Sequence, residues 1–291
     1  MNTLIKKADV LIEALPFMQK FNNAIVVVKF GGSAMEDPAL TAKTMRDIVL
    51  LHAIGMRVVV VHGGGKAISA KLKEKGVQSQ FFNGLRITDA DTIKVVDDVL
   101  HNNTNKLLVD AIAQCGGKGV SISGKSIMRA EKLYSSDPAT GEKVDIGFVG
   151  KVIAVNTAPI LDALSYDFIP VITPLAVDFF SQPYNINADT AACEIAMALS
   201  ARKLIFLSDV PGILRDPADE TSLISMIRTS EVDSLIAQGV LSGGMLPKIK
   251  SSVAALESGT KEVHMIDGRL LHSLLLEIFT ESGVGTAIVQ D

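Results

Sequence analysis

The stretch Ile25-Val26-Val27-Val28-Lys29-Phe30-Gly31-Gly32-Ser33 decides the fold. Four consecutive β-branched residues read as a strand buried on both faces, the pattern of a parallel sheet. The strand runs out into a lysine and two glycines, and Asp37-Pro38 follows as the N-cap and first-turn proline of a helix. Burying an ammonium without a partner is costly, so Lys29 is expected to face an anion. Gly31 and Gly32 let backbone N–H groups approach that anion closely, and the helix N-terminus beyond adds a favourable dipole.

Downstream the plan repeats. Gly55 closes the first helix, residues 57–61 form a second apolar strand, and His62-Gly63-Gly64-Gly65-Lys66 leads into a helix ending near Gly76. Two strand–turn–helix units in tandem imply a parallel sheet with right-handed crossovers. Their glycine turns, side by side at the carboxyl ends of the strands, would line one crevice. Upstream, Leu4, Ile5, Ala8, Leu11, Ile12 and Leu15 recur at helical spacing, with Pro16 expected to end or kink the helix before Phe17 and Phe21. Such a helix either packs on its own domain or docks on another subunit.

Further along, Thr88 and Asp91 make a capping-box pattern for a helix through Val95 and Val99 toward Leu108. Residues 119–155 predict β-hairpins around Asp137-Pro138-Ala139-Thr140-Gly141. Alternation then resumes with a strand at 168–172, a helix at 189–199, a strand at 204–207, a helix at 246–257 and a strand at 262–266. The order is α/β throughout, with one boundary of role near residue 180.

Composition narrows the function classes. The chain has 291 residues, 48% hydrophobic and 21% charged, with no run long enough to span a bilayer. Lys6 and Lys7 precede an apolar patch, but Asp9 and Glu13 interrupt it, so neither a signal peptide nor a membrane partner is expected and the location is cytoplasmic. Cys115 and Cys193 stand alone, which argues against disulfides and zinc, and both are expected to be buried. A net charge of -4 and 5% aromatic residues disfavour nucleic acid. No metal site is read from the sequence.

Several segments carry candidate chemistry. Residues 119–126 match G-x-x-x-x-G-K-[ST], yet the best strand residues fall inside the supposed loop, so the match is read as accidental. Asn83-Gly84-Leu85-Arg86 places a guanidinium, suited to bidentate carboxylate binding, in a turn. Asn185, Asn187 and Asp189 gather two amides and a carboxylate at a helix start, where Asp189 is also a candidate N-cap. Ser208-Asp209-Val210 leaves a buried strand through a turn. Beyond it, Ser242-Gly243-Gly244-Met245 precedes a helix bearing Lys248, whose charge opposes the helix dipole unless an anion sits there.

In this order the segments around Lys29, Gly63, Arg86, Asn185, Ser208 and Lys248 resemble the amino acid kinase family. Asn-Gly-Leu-Arg together with Asn-x-Asn-Ala-Asp is similar to the branch acting on N-acetyl-L-glutamate. The resemblance implies a three-layer αβα sandwich with a mainly parallel central sheet, preceded by the N-terminal amphipathic helix. It implies transfer of the γ-phosphoryl group of ATP, with Mg2+ carried on the phosphates, to the side-chain carboxylate of N-acetyl-L-glutamate in arginine biosynthesis. Lys29 and Lys248 would flank the migrating group, with Asp189 holding both. Gly64, Gly65, Arg86, Asn185 and Asn187 would serve the acceptor. Gly31, Gly32, Ser208, Asp209, Val210, Gly212, Ile213, Leu214 and Gly244 would lie against the nucleotide. The alternatives are a sister kinase acting on another carboxylate or carbamate, and a silent amino-acid sensor.

The N-terminal helix and the C-terminal segment resemble the arginine-inhibited, hexameric branch. That implies an oligomerisation helix at 1–22, an acetylglutamate-binding and dimerising lobe at 23–180, and an ATP- and arginine-binding lobe at 181–291. The assembly would be a trimer of dimers. Lys203, His264, Glu277, Gly283 and Gly285 would line the arginine site, and a PII-type signalling protein is a further partner open to this branch.

Overall fold

The structure is a computed structural model and describes residues 2–137 and 140–291. A helix, α1 (Asn2–Phe21), precedes β1 (Ile25–Phe30). A 3-10 turn (Gly32–Met35) leads to α2 (Pro38–Ala53), whose N-cap Asp37 accepts from the N–H groups of Ala39 and Leu40. β2 (Arg57–His62) and α3 (Gly65–Glu74) repeat the unit, and a short ribbon of β3 (Phe81–Phe82) and β4 (Leu85–Arg86) follows. α4 (Ala90–Asp98) passes through a π-helical segment (Val99–Asn105) into α5 (Lys106–Gln114). Next come β5 (Gly119–Ile122), α6 (Gly124–Ile127), β6 (Met128–Ser136), β7 (Lys143–Val155), α7 (Ala158–Ser165), β8 (Ile169–Ile172), β9 (Leu175–Val177) and β10 (Pro183–Asn185). The last third holds α8 (Ala188–Ala198), β11 (Lys203–Ser208), β12 (Met226–Arg228), α9 (Val232–Ala237), α10 (Met245–Glu257), β13 (Glu262–Asp267), α11 (Ser273–Phe279) and β14 (Thr286–Val289).

Eight strands form one sheet in the order β12-β14-β13-β11-β1-β2-β8-β5. Every neighbouring pair is parallel except β13 with β14. β6, β7, β9 and β10 close into a separate small sheet. The central sheet runs unbroken across residue 180, because β11 pairs directly with β1.

Side chains alternate across a strand, and each face of the sheet has its own core. Val26, Val28 and Phe30 point to the layer of α2, α5 and α11, where they meet Met45, Ile48, Ile112 and Leu274. Val27, Val59 and Phe206 point the other way, to Ile160 of α7, Ala192 of α8 and Ile249 of α10. The expected αβα sandwich is thus present.

Local details differ from expectation. Helix α1 continues past Pro16 to Phe21. The lost N–H bond is compensated because Phe21 is buried in the core and Phe17 packs edge-on against Phe279 at 6.5 Å. By contrast Leu11, Ile12 and Leu15 are exposed. The N-cap of α4 is Asp89, not Thr88, whose backbone is committed to pairing with Ile146 and Phe148. β5 belongs to the main sheet rather than to a hairpin, while β6 and β7 do pair antiparallel. Of the turn expected between them, Pro138 and Ala139 lie outside the described residues. Cys193 is buried but Cys115 is only half-buried. Among the described residues no helix is long and apolar enough to cross a membrane.

Candidate active site

The alternation that buries Val27 puts Lys29 on the α8 face. Its Nζ lies 2.9 Å from Asp189 Oδ1, and Lys248 Nζ of α10 lies 3.3 Å from Oδ2 of the same carboxylate. Asp189 occupies the first turn of α8, whose N-cap is Asn187: its Oδ1 accepts from the N–H groups of Asp189 and Thr190. Burial alone would raise the Asp189 pKa, but the charges and hydrogen bonds of Lys29 and Lys248 outweigh it and hold the carboxyl below its usual range. One fixed anion therefore aims two ammonium groups from different elements at the same space.

The glycine turns border that space. Gly31 and Gly63 approach each other closely, and a Cβ on Gly31 would also lie 2.8 Å from Lys29 Nζ. Gly32 has φ +71°, and a Cβ there would lie 2.5 Å from Asp209 Oδ1, which accepts both the N–H (2.8 Å) and the hydroxyl (2.7 Å) of Ser33. A Cβ on Gly64 would lie 2.5 Å from Leu100 in the π-helical segment. Beneath the second turn, fully buried His62 approaches the Gly63 carbonyl through Nδ1 at 2.7 Å, and Nε2 lies 3.2 Å from Asn105 Nδ2. These partners require a neutral ring with the proton on Nδ1. Burial pushes the His62 pKa down to about 4, in keeping with that state.

A cavity of about 220 Å3 extends from Lys29 and the glycine turns to Arg86, Asn185 and Asn187. Arg86 is buried, stacks on Phe81 at 4.7 Å and donates only to neutral oxygens, those of Ser79, Gly65 and Ser69. Burial lowers its pKa, and no carboxylate among the described residues pairs with it. A cation so placed calls for an anionic ligand. A second cavity of about 360 Å3, bounded by Asp189, Gly244 and Lys248, adjoins the first at Leu85, Val149 and Asn187. The lysine–aspartate cluster thus stands between two chambers. Among the described residues no group of three His, Cys, Asp or Glu side chains is arranged to hold a metal ion.

A second polar centre lies on the opposite face of the sheet. There Lys203 pairs with Glu262 at 2.5 Å and lies 2.8 Å from His264 Nε2, and His264 Nδ1 meets Glu277 Oε1. The other Glu277 oxygen accepts from the N–H groups of Val284 at 2.7 Å and Gly285 at 3.2 Å, while Gly283, with φ +63°, leaves room for that carboxylate. Burial lowers the Lys203 pKa; it would raise that of Glu262, but hydrogen bonds from His264 and Lys203 hold Glu262 well below its usual range. A cavity of about 510 Å3 joins this cluster to Phe17, Lys20 and Phe21 of α1.

A model of the amino acid kinase family matches residues 24–267. The chain belongs to the amino acid kinase family. Proteins named acetylglutamate kinase are 46% identical in Akkermansia muciniphila, over 99% of this chain and 97% of that protein, and 47% identical in Caldanaerobacter subterraneus subsp. tengcongensis, over 98% and 93%. Among solved structures, the N-acetylglutamate synthase of Neisseria gonorrhoeae complexed with coenzyme A and N-acetyl-glutamate superposes with a TM-score of 0.85 at 25% identity. The match covers 98% of this chain but only 63% of the synthase. A carbamate kinase of Giardia, at 14% identity and a TM-score of 0.66, shares the amino acid kinase fold.

Within this amino acid kinase the structure brings Lys29, Lys248, Asp189, Gly64, Gly65, Arg86, Asn185 and Asn187 to the two chambers. Asn185 donates to Thr88 Oγ1 at 3.3 Å. The 208–214 segment is mixed: Val210 is exposed, Ile213 is fully buried with its N–H bonded to Thr286 Oγ1 and its carbonyl to the Ile224 N–H, which leaves it no group for a ligand, and Leu214 bridges to Leu223. Gly212 packs against Thr286, and Ser208 donates to the Val210 carbonyl. The 119–126 look-alike forms no cradle, since Gly124 is packed against the Thr173 and Leu175 carbonyls and Lys125 pairs with Asp97. Sequence reasoning missed Ser69, Ser79 and Glu262. For Glu262 a signal existed, because it lies two residues before His264 and so on the same face.

Proposed function

We propose that this amino acid kinase transfers the γ-phosphoryl group of ATP to the side-chain carboxylate of N-acetyl-L-glutamate. The observation that carries the reading is Arg86, a buried guanidinium without a carboxylate partner, facing the same cavity as Lys29. An acceptor with two carboxylates fits such a space: the α-carboxylate on Arg86, the side-chain carboxylate toward the lysines, and the acetylamino group near Asn185. The identity shared along nearly the full chain with proteins named acetylglutamate kinase supports the same substrate.

A glutamate-type carboxylate, with pKa near ~4.3, is already ionised at neutral pH and needs no general base. Its oxygen forms a bond to the γ-phosphorus as the bond to the bridging oxygen breaks, and ADP departs with that electron pair. No proton moves. What remains for the protein is alignment and charge neutralisation on the equatorial oxygens, the work of Lys29, Lys248 and the Gly32 and Gly65 N–H groups. ATP enters with magnesium carried on its phosphates, held by residues 181–291 through the 208–214 segment and Gly244 and met from the other lobe by Gly31 and Gly32.

The second polar centre is the proposed arginine site, with Glu277 on the effector guanidinium and Lys203 and His264 beside it. The exposed apolar side chains of α1 support a role in joining dimers into a hexamer. The test of the activity is ATP turnover with N-acetyl-L-glutamate, L-glutamate, L-aspartate and carbamate, with hydroxylamine trapping the acyl phosphates. N-acetyl-L-glutamate alone should give strong turnover and a hydroxamate; preference for another acceptor would overturn the assignment.

A further inference from the structure

We infer that Ser69 and Ser79 are positioning residues that set the Arg86 guanidinium and lock it to the Gly63–Gly65 turn. The inference rests on the acceptor reading given above. Four side-chain and backbone groups close a hydrogen-bonded ring. Arg86 Nη1 donates to Ser79 Oγ at 2.5 Å, and Ser79 Oγ donates to Ser69 Oγ at 3.2 Å. Ser69 Oγ donates to the Gly65 carbonyl at 3.0 Å, and Arg86 Nη2 returns to both Ser69 Oγ (2.9 Å) and the Gly65 carbonyl (2.7 Å).

The Ser69 bond to Gly65, taken alone, is an ordinary contact between a helical serine and the carbonyl four residues before it. The rest of the ring is not local. It joins α3, the loop ahead of β3 and β4 itself, and each hydroxyl proton has a single acceptor that is already oriented. A guanidinium offers five N–H donors, and the ring consumes three of them, so two remain for a ligand. Which two remain is decided by the serines. Because the ring ends on Gly65, a shift of Arg86 is transmitted to a turn of the phosphate site, coupling acceptor grip to alignment for transfer.

The test compares wild type with Ser69→Ala and Ser79→Ala, and with Ser69→Thr and Ser79→Thr, which keep the hydroxyl. Each alanine variant should raise KM for N-acetyl-L-glutamate about fivefold to tenfold, because the charged Arg86 guanidinium loses one of the hydrogen bonds that set it, with KM for ATP unmoved. Each threonine variant should stay within about twofold of wild type, since its hydroxyl keeps the bond. As a cross-check, 4-acetamidobutanoate lacks the α-carboxylate, so its inhibition constant should be the same for wild type and alanine variants. Unchanged KM for N-acetyl-L-glutamate, an equal rise in KM for ATP, or an alanine variant that fails to fold would overturn the positioning role. A wild-type enzyme inactive on N-acetyl-L-glutamate would instead overturn the acceptor assignment.

Discussion

Asp209 binds Ser33 twice through one oxygen, accepting its backbone N–H and its hydroxyl across a sequence separation of 176 residues. The turn after β11 thereby fixes the turn after β1. Gly32 sits against the same carboxylate at φ +71°. Gly32→Ala should be doubly penalised, by about 1–2 kcal/mol of left-handed strain and by displacement of Asp209. Steady-state kinetics should show at least a tenfold fall in kcat, with circular dichroism unchanged.

Removing either ammonium of the paired lysines should cost about 3 kcal/mol in the transition state, on the order of a hundredfold in kcat, by analogy with loss of one oxyanion donor. Lys29→Ala and Lys248→Ala would each show this in single-turnover measurements. Wild-type rates in either variant would remove the pair from the reaction.

For Arg86, substitution by lysine keeps the charge but loses the planar fork. Arg86→Lys should raise KM for N-acetyl-L-glutamate by about 1.5–3 kcal/mol, roughly tenfold to a hundredfold, with little change in KM for ATP. Isothermal titration with the acceptor alone would give the same ratio.

His62 makes stability pH-dependent. Its folded-state pKa, about 4, lies below the ordinary 6.5, so the folded state resists protonation. Stability is fully present above pH 6.5 and is lost as pH falls toward 4. Between pH 7 and 5 the loss due to this ring is about 2 kcal/mol. Urea unfolding of wild type and His62→Asn at both pH values should give that difference; equal losses would mean the ring is not held neutral.

Deleting residues 1–20 should leave turnover intact, abolish arginine inhibition and reduce the assembly to dimers. Light scattering reads the assembly and ATP turnover with and without arginine reads the activity and its inhibition; a truncated hexamer still inhibited by arginine would defeat the proposed role of α1.

Much of this was legible because it is local. Lys29, Gly31, Gly32 and the Gly63–Gly65 run announce a phosphate-type turn in a few residues, and Lys248 stood out because its charge opposes the dipole of its helix. Its oddity pointed to an anion, and the structure supplies one in Asp189. The serine ring gives no such signal, since isolated serines in a helix and a loop carry no period. The π-helical segment was equally silent: Val95, Val96, Val99 and Leu100 read the same with or without an extra residue in the turn, yet that segment carries Leu100 to Gly64. Pro16 does not end α1, because the packing of Phe17 and Phe21 that follows carries the helix on to residue 21.

The place of β11 beside β1 bears on how the chain is born. β1 sits between β2 and β11, so one edge of the first strand stays bare until residue 208 has left the ribosome. The nascent N-terminal half holds an open parallel edge throughout that interval, exposed to chaperones and to wrong pairings. Closure of the central sheet therefore waits for β11, with the later strands completing what the first ones began.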